Sequence, residues 1–373
     1  MKAKTIRYLT KFLYFLDVKK CRRLKISPKS ILFPVIWITN RCNLRCKMCD
    51  QWKTDPKIIS KELTTKEWYS FVDSAYRMHV AVIVITGGEP FLREDIFDIL
   101  RYIYKKGIAC HVCTNGSLLD ENTIDKLRDL KLDSISISLD SDREEIHNEM
   151  RGIDCFDKVV KGIKLLRHSI QEIKIGINCV ITKRNFHDLY RIVPFVENLG
   201  VHQIKFDPIH TNLMHRRKNP YSFGNLFFTK EDIPELRHEI NKLIYAVSRT
   251  KLLTTSSIFI KEIPNLYRNH SNKLPCYAGY ISCAVDALGW VSPCDNFDGE
   301  ENLRDKSLEE IWKSSSFQRL RQNVYNCNSC CWDTTHAELN IRCSAREFFK
   351  EFGQILKETN FYFIKNKTSK LKN

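Results

Sequence analysis

Three thiols stand close together near the start of the chain, in the stretch Thr39-Asn40-Arg41-Cys42-Asn43-Leu44-Arg45-Cys46-Lys47-Met48-Cys49. The CxxxCxxC spacing of Cys42, Cys46 and Cys49 suits a four-iron cluster held by three protein ligands. Such a cluster keeps one iron open, which lets it bind and cleave a cofactor rather than only carry electrons. Zinc loops usually draw four ligands from CxxC pairs, and no fourth Cys or His stands nearby in sequence, so zinc fits these thiols poorly. The chain has 15 cysteines in 373 residues, and seven fall between residues 276 and 343 in a Gly-, Asn- and Asp-rich setting. That concentration predicts a second, small cluster-binding module.

A loop can present three thiolates only if regular elements fix its ends. From Val35 onward, short apolar strands alternate with longer amphipathic helices, the pattern of βα units stacked on a parallel sheet. Strands are predicted at Val35–Thr39, Ala81–Thr86, Ala109–Thr114, Ser134–Leu139, Ile173–Thr182 and Gln203–Pro208. Helices are predicted at Lys66–Met78, Ile96–Lys106, Glu121–Leu130, Phe156–Ser169, Leu189–Leu199 and Ile233–Val247. Six repeats predict an α/β fold, a partial (βα)6 TIM-like barrel, short of the eight units of a closed barrel. The cysteine loop then leaves the first strand at its C-terminal end, where parallel α/β folds bind ligands. The stretch from Asn212 to Phe228, polar, basic and broken by Pro220 and Gly224, reads as a loop after the last strand.

Further motifs follow the other strands. The second leads into Gly87-Gly88-Glu89-Pro90, the third into Thr114-Asn115-Gly116, and the fourth gives Ser136-Ile137-Ser138-Leu139-Asp140, with His147 and Arg151-Gly152 beyond. With these in place the sequence resembles the radical S-adenosylmethionine (SAM) superfamily from about Phe33 to Phe206. By that resemblance Gly87, Gly88, Glu89 and Pro90 are the GGEP motif that meets the methionine amino group of SAM, Glu89 supplying a carboxylate for the ammonium. Asn115 belongs to the family's TNG turn. Ser138, Asp140 and Arg151 belong to the SxD…H…RG stretch, in which Ser138 and Arg151 hold the SAM carboxylate. Met48 departs from the family, which usually has an aromatic residue there, and is expected to pack against the adenine.

The C-terminal part resembles the SPASM/twitch module, whose auxiliary four-iron cluster sits on the open side of the partial barrel. Cys276, Cys294, Cys327 and Cys330 match its four ligands, with Gly289, Asn302-Leu303, Ile311-Trp312 and Arg319 between them. A full SPASM module has more cysteines where this chain has His336 and Asn340. Cys283, Cys331 and Cys343, with His336, are left as donors for a second auxiliary cluster or as structural thiols. Asp295 resembles the general base of some dehydrogenating members, or caps a turn. Cys21, Cys110, Cys113, Cys155 and Cys179 show no ligand spacing and are expected to pack in the interior. The resemblance implies two [4Fe–4S] clusters, SAM, and a reductant such as flavodoxin or ferredoxin. It also implies an oxidoreductase or modifying enzyme that makes a 5′-deoxyadenosyl radical and abstracts hydrogen from its substrate.

The net charge of +16 sits mostly at the ends. Residues 1 to 25 carry nine Lys and Arg against the single acid Asp17, and Lys365, Lys367, Lys370 and Lys372 close the chain. Nucleic-acid binding by the core is therefore not expected. A non-enzymatic zinc- or cluster-bearing nucleic-acid-binding protein is the alternative reading, and it leaves Gly87-Gly88-Glu89-Pro90 after a strand unexplained. Leu9, Phe12, Leu13 and Leu16 repeat at helical spacing among basic residues, which predicts an amphipathic helix within residues 5–24. Its apolar stripe either lies on an anionic membrane surface or packs on the protein's own core. With neither a secretory signal nor a membrane-length apolar run, the expected location is cytoplasmic, peripheral at the inner membrane surface if that helix lies on lipid.

The expected organisation is a basic helix at 1–30, a radical SAM core at 31–250, an auxiliary cluster domain at 251–345 and a basic tail at 346–373. Little chain precedes the first strand, where peptide maturases of this group often carry a peptide-binding domain, and the terminal Lys372-Asn373 differs from the Gly-Gly end of the GTP cyclases. A small molecule or a glycan or lipid precursor is thus expected as substrate ahead of a peptide.

Overall fold

Segments such as Ser134-Ile135-Ser136-Ile137-Ser138 alternate strictly, and a strand turns that alternation into two unlike faces. Ile135, Ile137, Ile175, Ile177, Ile204 and Phe206 are all fully buried, on the face that packs against helices. The register sets Cys113 beside Ser136, Ser138 beside Asn178, Asn178 beside Lys205 and Val180 beside Asp207. The opposite face accordingly carries most of the polar side chains of these strands.

The computed structural model describes residues 14–130, 132–209, 225–269, 274–328 and 331–344. Six parallel strands carry the barrel: β1 (Phe33–Trp37), β2 (Val82–Thr86), β3 (Ala109–Thr114), β4 (Ser134–Ser138), β5 (Lys174–Ile181) and β6 (Gln203–Pro208). The short β7 (Leu253–Thr254) adds to β6, and β8 (Ser282–Val285), β9 (Trp290–Ser292) and β10 (Glu301–Asn302) follow. The order across the sheet is β10-β9-β8-β1-β2-β3-β4-β5-β6-β7, so β1 and β6 are not joined and the barrel stays open.

A helix over residues 14–24 is α1. Between strands lie α2 (Pro56–Ile59), α3 (Thr65–Arg77), α4 (Ile96–Lys105), α5 (Glu121–Leu130), α6 (Glu144–Arg151), α7 (Phe156–Ser169), α8 (Ile192–Asn198) and α9 (Ile233–Arg249). Then come α10 (Ser257–Asn269), α11 (Leu308–Lys313), α12 (Ser315–Tyr325) and α13 (Ala337–Cys343). The six strands and the helices read from periodicity between Lys66 and Val247 are found within two residues of their expected ends. The exception is Leu189–Leu199, which divides into a 3-10 turn at Leu189–Arg191 and α8. Helix α6, which the sequence shows only as a motif, was not anticipated.

The C-terminal module is not a separate appendage. Strand β8 runs parallel to β1, with Phe33 beside Ser282 and Val35 beside Ala284, and β9 returns antiparallel to it. The Trp312 indole N–H donates to Pro28 O at 2.8 Å, and the buried Arg321 reaches Ser27 Oγ at 2.7 Å. The boundary expected at residue 250 therefore falls within one continuous sheet.

The membrane expectation for the basic helix is not supported in the part described. Val18 and Cys21 are buried against Tyr277, Tyr280, Ile281 and Leu339. No helix among the described residues is long and apolar enough to cross a membrane. Residues 5–13, most of the 212–228 loop and the basic tail lie outside the described residues.

Candidate functional site

Strand β1 ends at Trp37, and the backbone beyond it is gripped from three sides. Glu62 accepts from Thr39 Oγ1 at 2.9 Å and from Asn40 N at 2.6 Å. Arg93 donates to Ile38 O at 3.0 Å and to Leu63 O at 2.7 Å, while pairing with Asp95 at 2.6 Å. The turn after β2 closes the third side: Gly88 N donates to Thr39 O at 2.8 Å and Glu89 N to Arg41 O at 2.7 Å. A Cβ on Gly87 would meet Thr39 O at 2.4 Å, and one on Gly88 would meet Arg41 O at 2.0 Å. Glycine is required because the cysteine loop runs directly over this turn.

Pro90 is buried and opens a 3-10 turn, Pro90–Leu92. Glu89 is fully buried and accepts three hydrogen bonds, from Asn115 N at 2.7 Å, Thr114 Oγ1 at 2.8 Å and Phe91 N at 3.1 Å. Burial pushes its carboxyl up to about 7, although the three donors work the other way. Glu89 thus ties the turn after β2 to the turn after β3. Asn115 continues the link, donating to Asn43 Oδ1 at 2.9 Å, and Asn43 donates to Ser117 Oγ at 2.9 Å. The cysteine loop is therefore stitched to two neighbouring strand ends.

Helix α6 supports the loop's far side. Arg45 N donates to Arg151 O at 3.2 Å and Lys47 N to Met150 O at 2.9 Å. Gly152 ends α6 at φ 70°, and a Cβ there would meet Arg45 O at 2.2 Å. The Arg151 guanidinium lies 2.7 Å from Asp140 Oδ2, off the line of a hydrogen bond, and 3.8 Å from Cys46 Sγ. Burial opposes the charges of both partners. Asp140 is nonetheless held against Arg151, and Arg151 stays above its usual value because Asp140 and Cys46 offset its burial. Asp140 N donates to His147 Nδ1 at 3.2 Å, and His147 Nε2 sits 3.6 Å from Cys155 Sγ. Ser138 closes β4 one register position from this group, beside Asn178. Met48 is buried with Leu44, Ile146 and Met150, in the protein's own interior.

Three of the four expected auxiliary ligands line one cavity. That cavity is lined by Cys276, Cys294, Cys327, Cys331, His336 and Asp295. Arg22 of α1 donates to Cys276 O at 2.7 Å and stacks on Tyr325. Asp295 lies in a turn closed by Phe297 N to Cys294 O at 3.2 Å. Cys330, expected as the fourth ligand, lies outside the described residues. Cys283 is buried in β8 and Cys343 packs with Cys21 and Tyr280, so neither faces the cavity. Of the two readings left open for these thiols, their placement matches the structural one. The segment beyond Cys331 reaches the barrel mouth, where Thr334 N and Oγ1 donate to Asp207 at 2.7 and 3.1 Å, at the C-terminal end of β6.

Residues 36–195 match the model of the radical SAM superfamily, and residues 276–332 match that of the iron–sulfur cluster-binding SPASM domain. The chain belongs to the radical SAM superfamily. It is 25% identical over 334 residues to the AdoMet-dependent heme synthase of Oleidesulfovibrio alaskensis, spanning 84% of this chain and 83% of the relative. It is 27% identical to the mycofactocin maturase MftC of Mycobacterium tuberculosis, spanning 79% of this chain and 74% of that one. In fold it is similar to Streptococcus suis SuiB bound to its precursor peptide SuiA, with a TM-score of 0.63, 19% identity, and 81% and 68% of the two chains covered. This radical SAM protein is an enzyme whose cofactors are [4Fe–4S] clusters and SAM, and which draws on a reductant and a substrate.

The donor chemistry fits those clusters. Burial pushes the Cys42 and Cys276 thiols up to about 11 and Cys294 well above the usual range, with neighbouring thiols adding to it. Thiolates form there only against a compensating positive charge, which iron supplies. Sequence reasoning missed Glu62, Arg93, Asn43 and Asp207. Asn43 stands within the cysteine stretch but showed no role there, the other three belong to no quoted motif, and only the fold brings their partners together.

Proposed function

We propose that this enzyme cleaves SAM reductively at a cluster on Cys42, Cys46 and Cys49 and abstracts hydrogen from a substrate seated between the barrel mouth and the auxiliary module. The observation that carries the reading is that both cysteine sets reach one edge of the sheet. The first loop leaves the C-terminal end of β1, and the segment carrying Cys331 and His336 is bonded to Asp207 at the C-terminal end of β6. When bound to Cys42, Cys46 and Cys49, a reduced cluster would supply the one electron needed to split SAM into methionine and a 5′-deoxyadenosyl radical.

The chain's own residues position and shield. Gly87, Gly88 and Pro90 bring backbone to the methionine amino group, and Glu89 fixes that turn against Asn115. Ser138 and Arg151 face the methionine carboxylate, with Asp140 orienting Arg151. Cys276, Cys294 and Cys327 would hold the auxiliary cluster, which would supply an acceptor for the electron left by a net oxidation or an anchor for the substrate. Asp295, in its turn beside Cys294, lies where a base would serve that oxidation.

A flavodoxin or ferredoxin suits the reductant. A small molecule or a glycan or lipid precursor suits the substrate, and the maturase relatives keep a peptide in view. The reading places the enzyme in the cytoplasm. Iron and sulfide analysis of anaerobically purified protein tests it. About eight irons per chain are expected, falling to about four in Cys42→Ala/Cys46→Ala/Cys49→Ala. Equal iron in both proteins contradicts the assignment of the first cluster, and about twelve in the wild type contradicts a single auxiliary cluster.

A further inference from the structure

The residues between and just after the first three cysteines carry a charge that SAM binding leaves unexplained. From 41 to 61 stand Arg41, Arg45, Lys47, Lys53, Lys57 and Lys61 against the acids Asp50 and Asp55. All of these cations are exposed, whereas Leu44, Cys46 and Met48 among them are buried. Lys47 pairs with Glu149 at 3.2 Å and Lys53 with Asp50 at 2.9 Å, and the other four make no ion pair among the described residues.

The chain after Cys49 folds back on the start of the cysteine stretch. Gln51 Nε2 donates to Asn40 Oδ1, and Glu62 accepts from Asn40 N at 2.6 Å, so residues 51–62 form a loop that begins and ends beside Asn40. Arg304 closes it, donating to Lys61 O at 2.9 Å and Glu62 O at 3.3 Å. Held at both ends, the loop shows two large apolar side chains to solvent, Trp52 at 36% and Ile58 at 43% exposure, with Lys53 lying 5.2 Å over the indole. An exposed tryptophan ringed by cations has the composition of a docking patch. Gln51 N, one residue before Trp52, donates to Cys49 Sγ at 3.4 Å. The exposed turn thus lies one hydrogen bond from a ligand thiol. Past Lys47 the surface turns acidic, in a groove lined by Glu144, Glu145, Glu149 and Asp154, which marks the edge of the basic patch.

We propose that the loop of Trp52, Lys57 and Lys61, with Arg41 and Arg45 beside it, is the docking surface for the one-electron donor, a small redox protein with an acidic face around its cofactor. The cations steer the encounter, Trp52 anchors it, and the electron enters beside Cys49. Redox encounters of this kind bury little area, so charge complementarity governs their rate. With flavodoxin as donor, one electron leaves the hydroquinone, which becomes the semiquinone, and reduces the oxidised cluster. This docking surface rests on the cluster proposed above for Cys42, Cys46 and Cys49.

The test uses the anaerobically reconstituted holoenzyme. Binding of oxidised flavodoxin is measured by biolayer interferometry, and cluster reduction by flavodoxin hydroquinone in stopped flow. Lys57→Glu/Lys61→Glu and Trp52→Ala are compared with Lys158→Glu/Lys161→Glu, the same charge change at exposed positions of α7. Lys57→Glu/Lys61→Glu is expected to weaken binding and slow reduction about tenfold at low ionic strength, the gap closing as salt is added. Trp52→Ala should weaken binding at every salt concentration, and the α7 pair should match the wild type. Reduced methyl viologen, a small cation, should reduce the Lys57→Glu/Lys61→Glu protein at least as fast as the wild type. Wild-type binding and rates in Lys57→Glu/Lys61→Glu, an equal loss in the α7 pair, or slowing with methyl viologen as well overturns the proposal. A wild type that holds no iron refutes the cluster itself, and the docking surface falls with it.

Discussion

Gly88 and Gly152 stand at the two closest backbone approaches around the cysteine loop, where a Cβ would come within 2.0 and 2.2 Å of Arg41 O and Arg45 O. Gly88→Ala or Gly152→Ala must push that loop away at a cost of about 1–3 kcal/mol, the usual scale of overpacking. Each is expected to lose about half the iron while keeping the auxiliary share; full iron in either variant would contradict the role given to these glycines. His111 makes a different residue-scale prediction. Burial, with Lys205 adding to it, pushes its imidazole down to about 3 from the usual 6.5. Between those values the unfolded chain binds a proton that the folded one does not, so its contribution is complete above pH 6.5 and lost on acidification. Each such group removes about 1.4 kcal/mol per pH unit. His147 is lowered in the same direction, so His111→Gln should flatten the slope by one proton, not abolish it. Urea unfolding of the apo protein from pH 6.5 to 5 measures this, and an unchanged slope would contradict it. At this scale the glycine motifs were legible in the sequence because spacing alone displays them. The approach of Cys155 to His147, and of Arg151 to Cys46, was not, since turns of α6 and strands far apart in sequence create those contacts.

Elements were legible wherever burial is one-sided. Strict alternation placed β4, and the Ile and Leu spacing of Ile96–Lys105 placed α4, because each period matches a geometry. Helix α6 escaped since its residues Glu144–Arg151 are mostly polar and it buries only Ile146, His147, Met150 and Arg151. Of the stripe expected in the basic helix only Leu16 lies among the described residues, and it is exposed; α1 buries Val18 and Cys21 instead, so its partner could not be read from the stripe. The structure gives that partner as the auxiliary module, through Val18, Cys21 and the bond from Arg22 to Cys276 O. Arg22→Ala should therefore loosen a cluster ligand more than 250 residues away, because a charged donor to a buried carbonyl contributes about 1.5–3 kcal/mol. The expected outcome is loss of auxiliary iron during gel filtration with SAM cleavage retained. Unchanged auxiliary iron would show that α1 does not support the site.

For the molecule as a whole, the sheet crosses the boundary expected at residue 250. Composition separated a barrel from a cysteine-rich end, but nothing in it could show that β8 adds in parallel to β1 or that Trp312 and Arg321 clasp Ser27 and Pro28. A chain ending at residue 250 would expose the β1 edge and the apolar surface that the module covers. It is expected to aggregate rather than melt cooperatively, as read by light scattering and circular dichroism. A soluble, cooperatively folding fragment would contradict this account of the interface. The central claim, SAM cleavage at the loop of Cys42, Cys46 and Cys49, is tested most directly by incubating reconstituted, dithionite-reduced enzyme with SAM under anaerobic conditions and measuring 5′-deoxyadenosine. The wild type is expected to produce it and Cys42→Ala/Cys46→Ala/Cys49→Ala to produce none. A wild-type protein that makes no 5′-deoxyadenosine and holds tightly bound zinc in place of iron would contradict the claim.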